Sequence, residues 1–127
     1  MKIVVDTSVL IDFSRAHTGL FKELIVQSQK GADLYTPTVV MTEFWAGDDM
    51  KNESNVKSAE RIFSRLIKMP LSEEIAKKAG ELIRKKDAFG FDAIVAASAL
   101  KIDAQVATSN TKHFSKIKNL KLWKNMK

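Results

Sequence analysis

The chain has 127 residues, the usual length of one domain, and its 45% hydrophobic and 28% charged residues exclude an intrinsically disordered protein. The absence of cysteine excludes disulfides and thiolate metal sites, so any metal must have oxygen or imidazole ligands. The formal net charge of +6 favours phosphate polyanions as partners, unless it reflects only a lysine-rich surface. We therefore expect a single globular domain over residues 1–127.

The first predicted element is a strand at residues 2–5, a short apolar run rich in β-branched side chains. This run is too short for a signal peptide or a membrane span, so we expect a cytoplasmic protein that does not enter a membrane. A helix is predicted at residues 9–13, a second helix at residues 21–28 before Gly31, and a second strand at residues 34–36. Alternating strands and helices predict a mainly parallel sheet.

The middle of the chain is predicted to be helical. Thr38 is a plausible N-cap for a helix over residues 39–45 that stops near Gly47. The polar residues 48–55 indicate a loop or a frayed helix start, and residues 56–66 are predicted to form another helix.

Two further helices are predicted in the second half. Ser72 is a plausible N-cap of a helix that has acids in its first turn and basic residues 84–86 in its last, in agreement with the helix dipole. Residues 91–102 are apolar nearly all round, which is typical of a helix in the interior or at a subunit contact. The remaining chain is predicted to contain a strand, a turn with a short helix, and a last strand, at residues 105–108, 109–114 and 120–123.

Three acids lie where a functional carboxylate is plausible. Asp6 follows the first strand, at the end where open α/β sheets bind their ligands, although it could equally cap the next helix. Glu43 lies within the apolar face of its helix, where an unpaired carboxylate is unfavourable unless it reaches solvent at the rim. Asp92 begins an alanine-rich helix, where negative charge is favoured, but it too could be a cap.

Asn110 is a fourth polar residue in a similar position, because it follows another predicted strand beside Thr108 and Ser109. Its amide oxygen could bind a metal ion or a metal-bound water. Taken alone, this Thr-Ser-Asn run is typical of an ordinary turn.

The order of these four positions resembles that of the PIN-domain nucleases, most closely the VapC toxins of VapBC toxin–antitoxin systems. The resemblance spans nearly the whole chain, and several blocks in the same order are more specific than any one of them. The matching blocks are Asp6-Thr7-Ser8-Val9-Leu10-Ile11, Thr42-Glu43, Phe91-Asp92-Ala93-Ile94-Val95-Ala96-Ala97 and Thr108-Ser109-Asn110-Thr111-Lys112-His113-Phe114.

The resemblance implies a three-layer α/β/α domain with a central, mostly parallel sheet that hydrolyses RNA. Asp6, Glu43 and Asp92 would be the catalytic residues and would bind Mg²⁺ or Mn²⁺, because these ions prefer oxygen ligands. The residues expected to support the cluster by hydrogen bonding are Ser8 and Thr108.

Asn110 is expected to be a weaker metal ligand, directly or through a water. Many relatives carry Asp at this position, so the neutral amide removes one negative charge and is compatible with a single metal ion. The resemblance also implies two protein partners: a VapB-like antitoxin that binds across the cleft, and a second copy of the chain in a homodimer formed through apolar helical surface.

Arg15, Lys85 and Lys86 are candidates for binding the RNA backbone. Positive side chains near a cleft hold phosphate groups, although charges at the ends of helices are usually only solvated. The prediction for these residues is therefore weaker than that for the acids.

Three other functions can be compared with this one. A phosphatase of the haloacid dehalogenase type needs a second Asp two positions after the first, where this chain has Ser8. A metal-free ribonuclease would need His17 and His113 in one site, and the pattern does not join them; His113 is better explained as a structural neighbour of Phe114. A non-catalytic adaptor that binds RNA or protein is the main alternative, and the intact acids argue against it.

Overall fold

The structure is a computed structural model that describes residues 1–17 and 19–123. Over those residues five strands form one sheet in the order β3-β2-β1-β4-β5, and every neighbouring pair is parallel. The strands are β1 (Lys2–Val5), β2 (Asp33–Pro37), β3 (Ile67–Met69), β4 (Gln105–Ala107) and β5 (Lys121–Leu122). Thr18 and residues 124–127 are not described, so Lys124 and Lys127 lie outside the described residues.

Six α-helices flank this sheet in the described chain, and together they confirm the predicted three-layer α/β/α class. They are α1 (Thr7–Ala16), α2 (Leu20–Gln29), α3 (Thr38–Trp45), α4 (Glu53–Phe63), α5 (Glu73–Arg84) and α6 (Gly90–Ile102). Two short 3₁₀ helices, Asp48–Lys51 and Thr111–Phe114, complete the connections. None of the helices in the described residues is long and apolar enough to span a membrane.

The core lies around β1 and α6. Ile3, Val4 and Val5 of β1 are fully buried, as expected of a central strand covered on both faces. Helix α6 packs against α3, α5 and the strands β1, β2 and β4, and most of its small side chains are buried there. Packing inside this chain therefore explains the buried part of the apolar run at residues 91–102, whereas Phe91 is exposed.

Some predicted elements differ from the structure. Thr38 is not an N-cap: Pro37 holds that position and Thr38 is the first helical residue. Helix α4 spans Glu53–Phe63, not residues 56–66, because the Asn52 side chain accepts hydrogen bonds from the Ser54 and Asn55 amides and starts the helix earlier. The edge strand β3 was missed, since a three-residue strand with Lys68 at its centre has no clear apolar alternation.

The strand order places a crevice beside β1. The chain leaves β1 for β2 on one side, whereas β4 pairs with β1 on the other, so the carboxyl ends of β1 and β4 meet at a topological switch point. The Asp6 amide donates a 3.0 Å hydrogen bond to the Ala107 carbonyl, which ties the two strand ends together. Open α/β sheets bind their ligands in such crevices.

Candidate active site

Asp6 lies at this switch point, directly after β1, and is only 3% exposed. Although it holds the N-cap position of α1, its side chain makes no capping hydrogen bond. Its Oδ2 atom instead accepts hydrogen bonds from Ser8 Oγ at 2.9 Å and from Thr108 Oγ1 at 2.8 Å. The simple capping explanation for Asp6 therefore does not hold.

The two hydroxyl groups that hold Asp6 are themselves fixed by backbone amides. The Ser109 amide donates to Ser8 Oγ at 3.0 Å, and the Asn110 amide donates to Thr108 Oγ1 at 2.9 Å. Because each hydroxyl oxygen already accepts an N–H, its own hydrogen is free to point at the carboxylate. The turn after β4 thus orients Asp6 across a separation of about a hundred residues in sequence.

Glu43 reaches the same region from α3, where it is half-buried. Its Oε1 atom accepts a 2.6 Å hydrogen bond from Thr7 Oγ1, at the first residue of α1. Burial raises the pKa of Glu43 above its ordinary value, the Thr7 hydrogen bond opposes this, and the charges of Asp6 and Asp92 raise the pKa further.

Asp92 comes from the first turn of α6 and is also half-buried. Helix α6 has no side-chain capping bond, so Asp92 is not its cap. Its Oδ2 atom lies 2.9 Å from His113 Nδ1. Burial raises the pKa of Asp92, the charge of Asp6 adds to that rise, and the contact with His113 lowers it.

These side chains form an acidic cluster, defined here as Asp6, Glu43 and Asp92. Each carboxylate uses one oxygen for a protein hydrogen bond, while the other oxygen has no hydrogen-bond partner among residues 1–17 and 19–123. No fully buried side-chain oxygen in that part of the chain lacks a partner, so the second oxygens contact solvent. In the side-chain conformations present, no three Asp, Glu or His residues of the described chain are grouped tightly enough to hold a metal ion.

Comparison with known proteins assigns the fold. The family model of the PIN domain matches residues 3–120.

The chain belongs to the PIN domain family. This confirms the resemblance on which the sequence analysis relied.

This PIN domain is 28% identical over 119 residues to the protein named Ribonuclease VapC19 of Mycobacterium tuberculosis, a match that covers 90% of the chain and 92% of that relative. Its structure is similar to that of VapBC2 from Rickettsia felis bound to a promoter DNA fragment, with a TM-score of 0.82, 23% identity and coverage of 98% of this chain and 100% of the other. DNA-bound VapBC from Salmonella typhimurium gives a TM-score of 0.82 at 22% identity, with 97% of each chain covered. These two likenesses establish the shared fold.

Asn110 of the PIN domain lies at the same edge of the sheet but is exposed. Its backbone amide helps to orient Thr108, while its side-chain amide has no hydrogen-bond partner in the described chain. The residue therefore contributes to the site through its backbone in this structure.

The three RNA-binding candidates are not found together. Arg15 pairs with Asp49 at 3.3 Å, and Lys85 pairs with Glu81 at 3.3 Å. Only Lys86 lines a cleft that reaches Asp92. The structure thus brings one of these basic residues to the acidic cluster and leaves two in surface ion pairs.

That cleft contains residues that sequence reasoning missed. We call it the basic cleft; it has a volume of about 260 Å³ and is lined by Lys86, Asp87, Phe89, Asp92, Lys112, His113 and Lys116. His113 was expected to be only a neighbour of Phe114, but the 3₁₀ helix buries Phe114 and turns His113 towards Asp92. The sequence signal that could have indicated a functional role for His113 was the Thr-Lys-His-Phe run at residues 111–114, where a basic and an aromatic residue flank the histidine.

A second depression lies between α1, α2 and α4. This helical groove has a volume of about 510 Å³, and its lining includes the apolar side chains Phe13, Phe21, Ile25, Phe44, Met50 and Ile62, with Arg61 and Arg65 also present. Phe44 lines it next to Glu43 in the sequence, so the groove begins on the same helix as part of the acidic cluster.

Proposed function

We propose that this PIN domain is a divalent-metal-dependent endoribonuclease and the toxin of a VapBC-type pair, with Asp6, Glu43 and Asp92 as its catalytic residues. One observation carries the proposal: Asp6 directly after β1, Glu43 on α3 and Asp92 on α6 are close enough for their charges to interact, and each keeps one carboxylate oxygen towards solvent. The curated relative named as a ribonuclease supports the choice of substrate.

The chemistry of this donor set fits Mg²⁺ or Mn²⁺. Both ions prefer hard oxygen ligands, and Mg²⁺ keeps several of its waters, so few carboxylates are needed. Burial is the main cause of the raised pKa values of Glu43 and Asp92, and repulsion by the neighbouring carboxylates adds to it. A bound cation would relieve that repulsion. Asn110 would reach such an ion through a water.

The bound ion would lower the pKa of an attacking water and neutralise charge on the scissile phosphate. The residues of the chain hold the carboxylates in position. Ser8 and Thr108 hold one oxygen of Asp6, Thr7 holds one oxygen of Glu43, and His113 holds one oxygen of Asp92. Asp6 or Asp92 would orient the water that attacks phosphorus, which leaves a 5′-phosphate and a 3′-hydroxyl.

A cleavage assay tests this function directly. Labelled RNA is incubated with the protein and Mn²⁺, with EDTA added, and with the Asp6→Asn variant. We expect cutting only by the unchanged protein with metal, and products with 5′-phosphate ends. Cutting that persists in EDTA or in the variant would exclude the mechanism, and no cutting of any RNA would favour the non-catalytic adaptor.

The proposed partner is a small VapB-like antitoxin. Two solved structures with the same fold are those of VapBC2 from Rickettsia felis and of VapBC from Salmonella typhimurium. The lining of the helical groove combines apolar side chains with polar and charged ones, which suits an amphipathic helix. Phe44 of α3 lines the groove, so an antitoxin seated there would contact the helix that carries Glu43.

We also propose a homodimer and a cytoplasmic location. The surface differs from the apolar helical surface expected from the sequence: Ile67 and Leu71, at and after the edge strand β3, are nearly half exposed, and a dimer contact would remove them from water. The lack of cysteine suits a reducing compartment. Sedimentation of the purified protein tests the dimer: a monomer at all concentrations would exclude it.

A further inference from the structure

We propose that the basic cleft binds one unpaired nucleotide of the substrate strand next to the scissile phosphate. Phe89 would stack on its base, and Lys86, Lys112 and Lys116 would hold the neighbouring phosphates. This inference rests on the proposed function and names the form of RNA that the site accepts.

Phe89 is the first observation. Its side chain is 63% exposed, the most exposed of the large apolar side chains in the described residues, although a phenylalanine gains most from burial. It lies in the turn between α5 and α6 and lines the basic cleft. Phe91 is also exposed, at 41%, but does not line the cleft.

The lysines are the second observation. Lys86, Lys112 and Lys116 are exposed, and their ammonium groups have no ion pair or hydrogen bond in the described chain. Lys85, the residue directly before Lys86, is by contrast paired with Glu81. Three unpaired cations from two separate segments therefore converge on one cleft, where their charge is available to a phosphate.

The position of the cleft is the third observation. Asp92 and His113 form part of its wall, so a nucleotide bound there has its phosphate beside the acidic cluster. Asp87 and Asp92 are the two carboxylates of the lining, and the three lysines outnumber them. A strand bound here would therefore be held by the lysines on one side and reach the catalytic carboxylates on the other.

Size and stacking together select a single unpaired nucleotide. The volume of about 260 Å³ lies just below the roughly 300–1,000 Å³ of small-molecule pockets, so it suits one nucleotide and not a folded element. A base can stack on a phenylalanine only when it has left its duplex, and such stacking tolerates any base. The cleft thus favours single-stranded RNA or the loop of a hairpin.

The test measures RNA binding with matched variants. A short labelled single-stranded RNA of random sequence, and the same RNA as a duplex, are titrated in the Asp6→Asn background with Mn²⁺. The variants are Phe89→Ala, Phe89→Trp, the control Phe91→Ala, the pair Lys112→Gln with Lys116→Gln, and the control pair Lys22→Gln with Lys57→Gln. The two control lysines are exposed and also lack side-chain partners in the described chain.

We expect Phe89→Ala to weaken single-strand binding about tenfold. The Phe89→Trp and Phe91→Ala variants should bind the single strand with nearly the affinity of the Asp6→Asn background protein. The cleft lysine pair should flatten the dependence of log Kd on log salt by about 0.7 per lysine removed, and the control pair should leave it unchanged. Duplex RNA should bind more weakly than the single strand.

Three results would overturn the inference: equal affinities for Phe89→Ala and Phe91→Ala, duplex binding as tight as single-strand binding, or a loss of antitoxin binding in Phe89→Ala with RNA binding intact. Cleavage with Asp6 present separates this inference from the proposed function. If the protein cuts RNA normally with Mn²⁺ and the Phe89→Ala substitution has no effect, only the proposed role of the basic cleft is overturned. If RNA binding depends on Phe89 but no RNA is cut, only the proposed nuclease function is overturned.

Discussion

Thr7 donates a 2.6 Å hydrogen bond to Glu43, and this contact joins the first residue of α1 to the middle of α3. Thr7 directly follows Asp6, so the same short segment supplies one carboxylate of the acidic cluster and orients a second. The bond also lowers the pKa of Glu43, against the effects of burial and neighbouring charge. Removing this hydroxyl should therefore disturb the site without touching a carboxylate.

Thr7→Val keeps the shape of the side chain but removes the hydroxyl. We expect Mn²⁺-dependent RNA cleavage to fall about tenfold, because a hydrogen bond to a charged group is worth roughly 1.5–3 kcal/mol and Glu43 is only half-buried. Thr7→Ser keeps the donor and should retain most activity. Equal activity in the two variants would mean that Thr7 does not position Glu43.

The raised pKa of Glu43 predicts how stability changes with pH. The folded, metal-free protein holds a proton on Glu43 at a pH where the unfolded chain, with its ordinary pKa of 4.5, has released it. This contribution favours folding at low pH and is lost as the pH rises from the unfolded pKa through the raised folded pKa. Raising the pH through this window should therefore lower the free energy of unfolding.

Glu43→Gln removes that titration. In EDTA at pH 7 the variant should melt a few degrees above the unchanged protein, and the difference should shrink towards pH 4, where Glu43 is protonated. Glu60→Gln, at an exposed site on α4, is the matched control and should have the same Tm as the unchanged protein. A lower Tm for Glu43→Gln at pH 7 would contradict a Glu43 pKa raised by burial and neighbouring charge.

Divalent metal should stabilise the folded protein. At a hundred times its Kd, Mn²⁺ would add about 2.7 kcal/mol, which calorimetry or a melting curve would detect as a higher Tm. Asp6→Asn should lose most of this shift, while Asp33→Asn should keep it, since Asp33 is exposed at the opposite end of the neighbouring strand β2. An equal shift in both variants would place the metal elsewhere.

His113 should set the pH range of activity through Asp92. Its contact lowers the pKa of Asp92, so His113→Ala should raise that pKa and move the acid limb of the rate profile to higher pH. We expect a loss of about tenfold at pH 6 and a smaller loss at pH 8. His113→Asn can still donate a hydrogen bond, so its pH profile of cleavage should be closer to that of the unchanged protein. A uniform loss of activity at all pH values would argue for a merely structural role.

The helical groove gives a test of the antitoxin partner. Ile25 lines the groove, whereas its neighbour Val26 is 46% exposed and does not. Ile25→Glu should reduce co-purification with the co-expressed antitoxin, because a charge would replace apolar contact, and Val26→Glu should not. Both variants should cut RNA normally. Retained binding by Ile25→Glu would place the antitoxin on another surface.

Local patterns were sufficient for most of the fold. The β-branched run before Asp6 predicted β1, and the Ser72 side chain caps α5 as expected. The strand β3 was missed because its pairing with β2, and not its own three residues, makes it a strand. Short edge strands carry little local signal, so their existence depends on the neighbour that they pair with.

The candidate site likewise has residues that the sequence predicted and residues that it did not. Asp6, Glu43 and Asp92 were selected from the sequence because each is an acid in an apolar or strand-end context. Their hydrogen-bond partners were harder to predict: Ser8 and Thr108 entered only through the resemblance, and Thr7 and His113 were not identified. A hydrogen bond between residues 21 to 102 positions apart leaves no periodic trace in a sequence.

The sequence by itself determined the alternation of strands and helices, the exclusion of thiolate metal ligands and the family. Each of these depends on residue type and local spacing, which the chain carries directly. Only the tertiary structure decided that Lys86 lines the same cleft as Asp92 while Lys85 and Arg15 form ion pairs, and that Phe89 is exposed in a cleft with three lysines. Side-chain direction at the ends of helices depends on how α5, α6 and the last 3₁₀ helix pack, and that packing is a property of the whole chain.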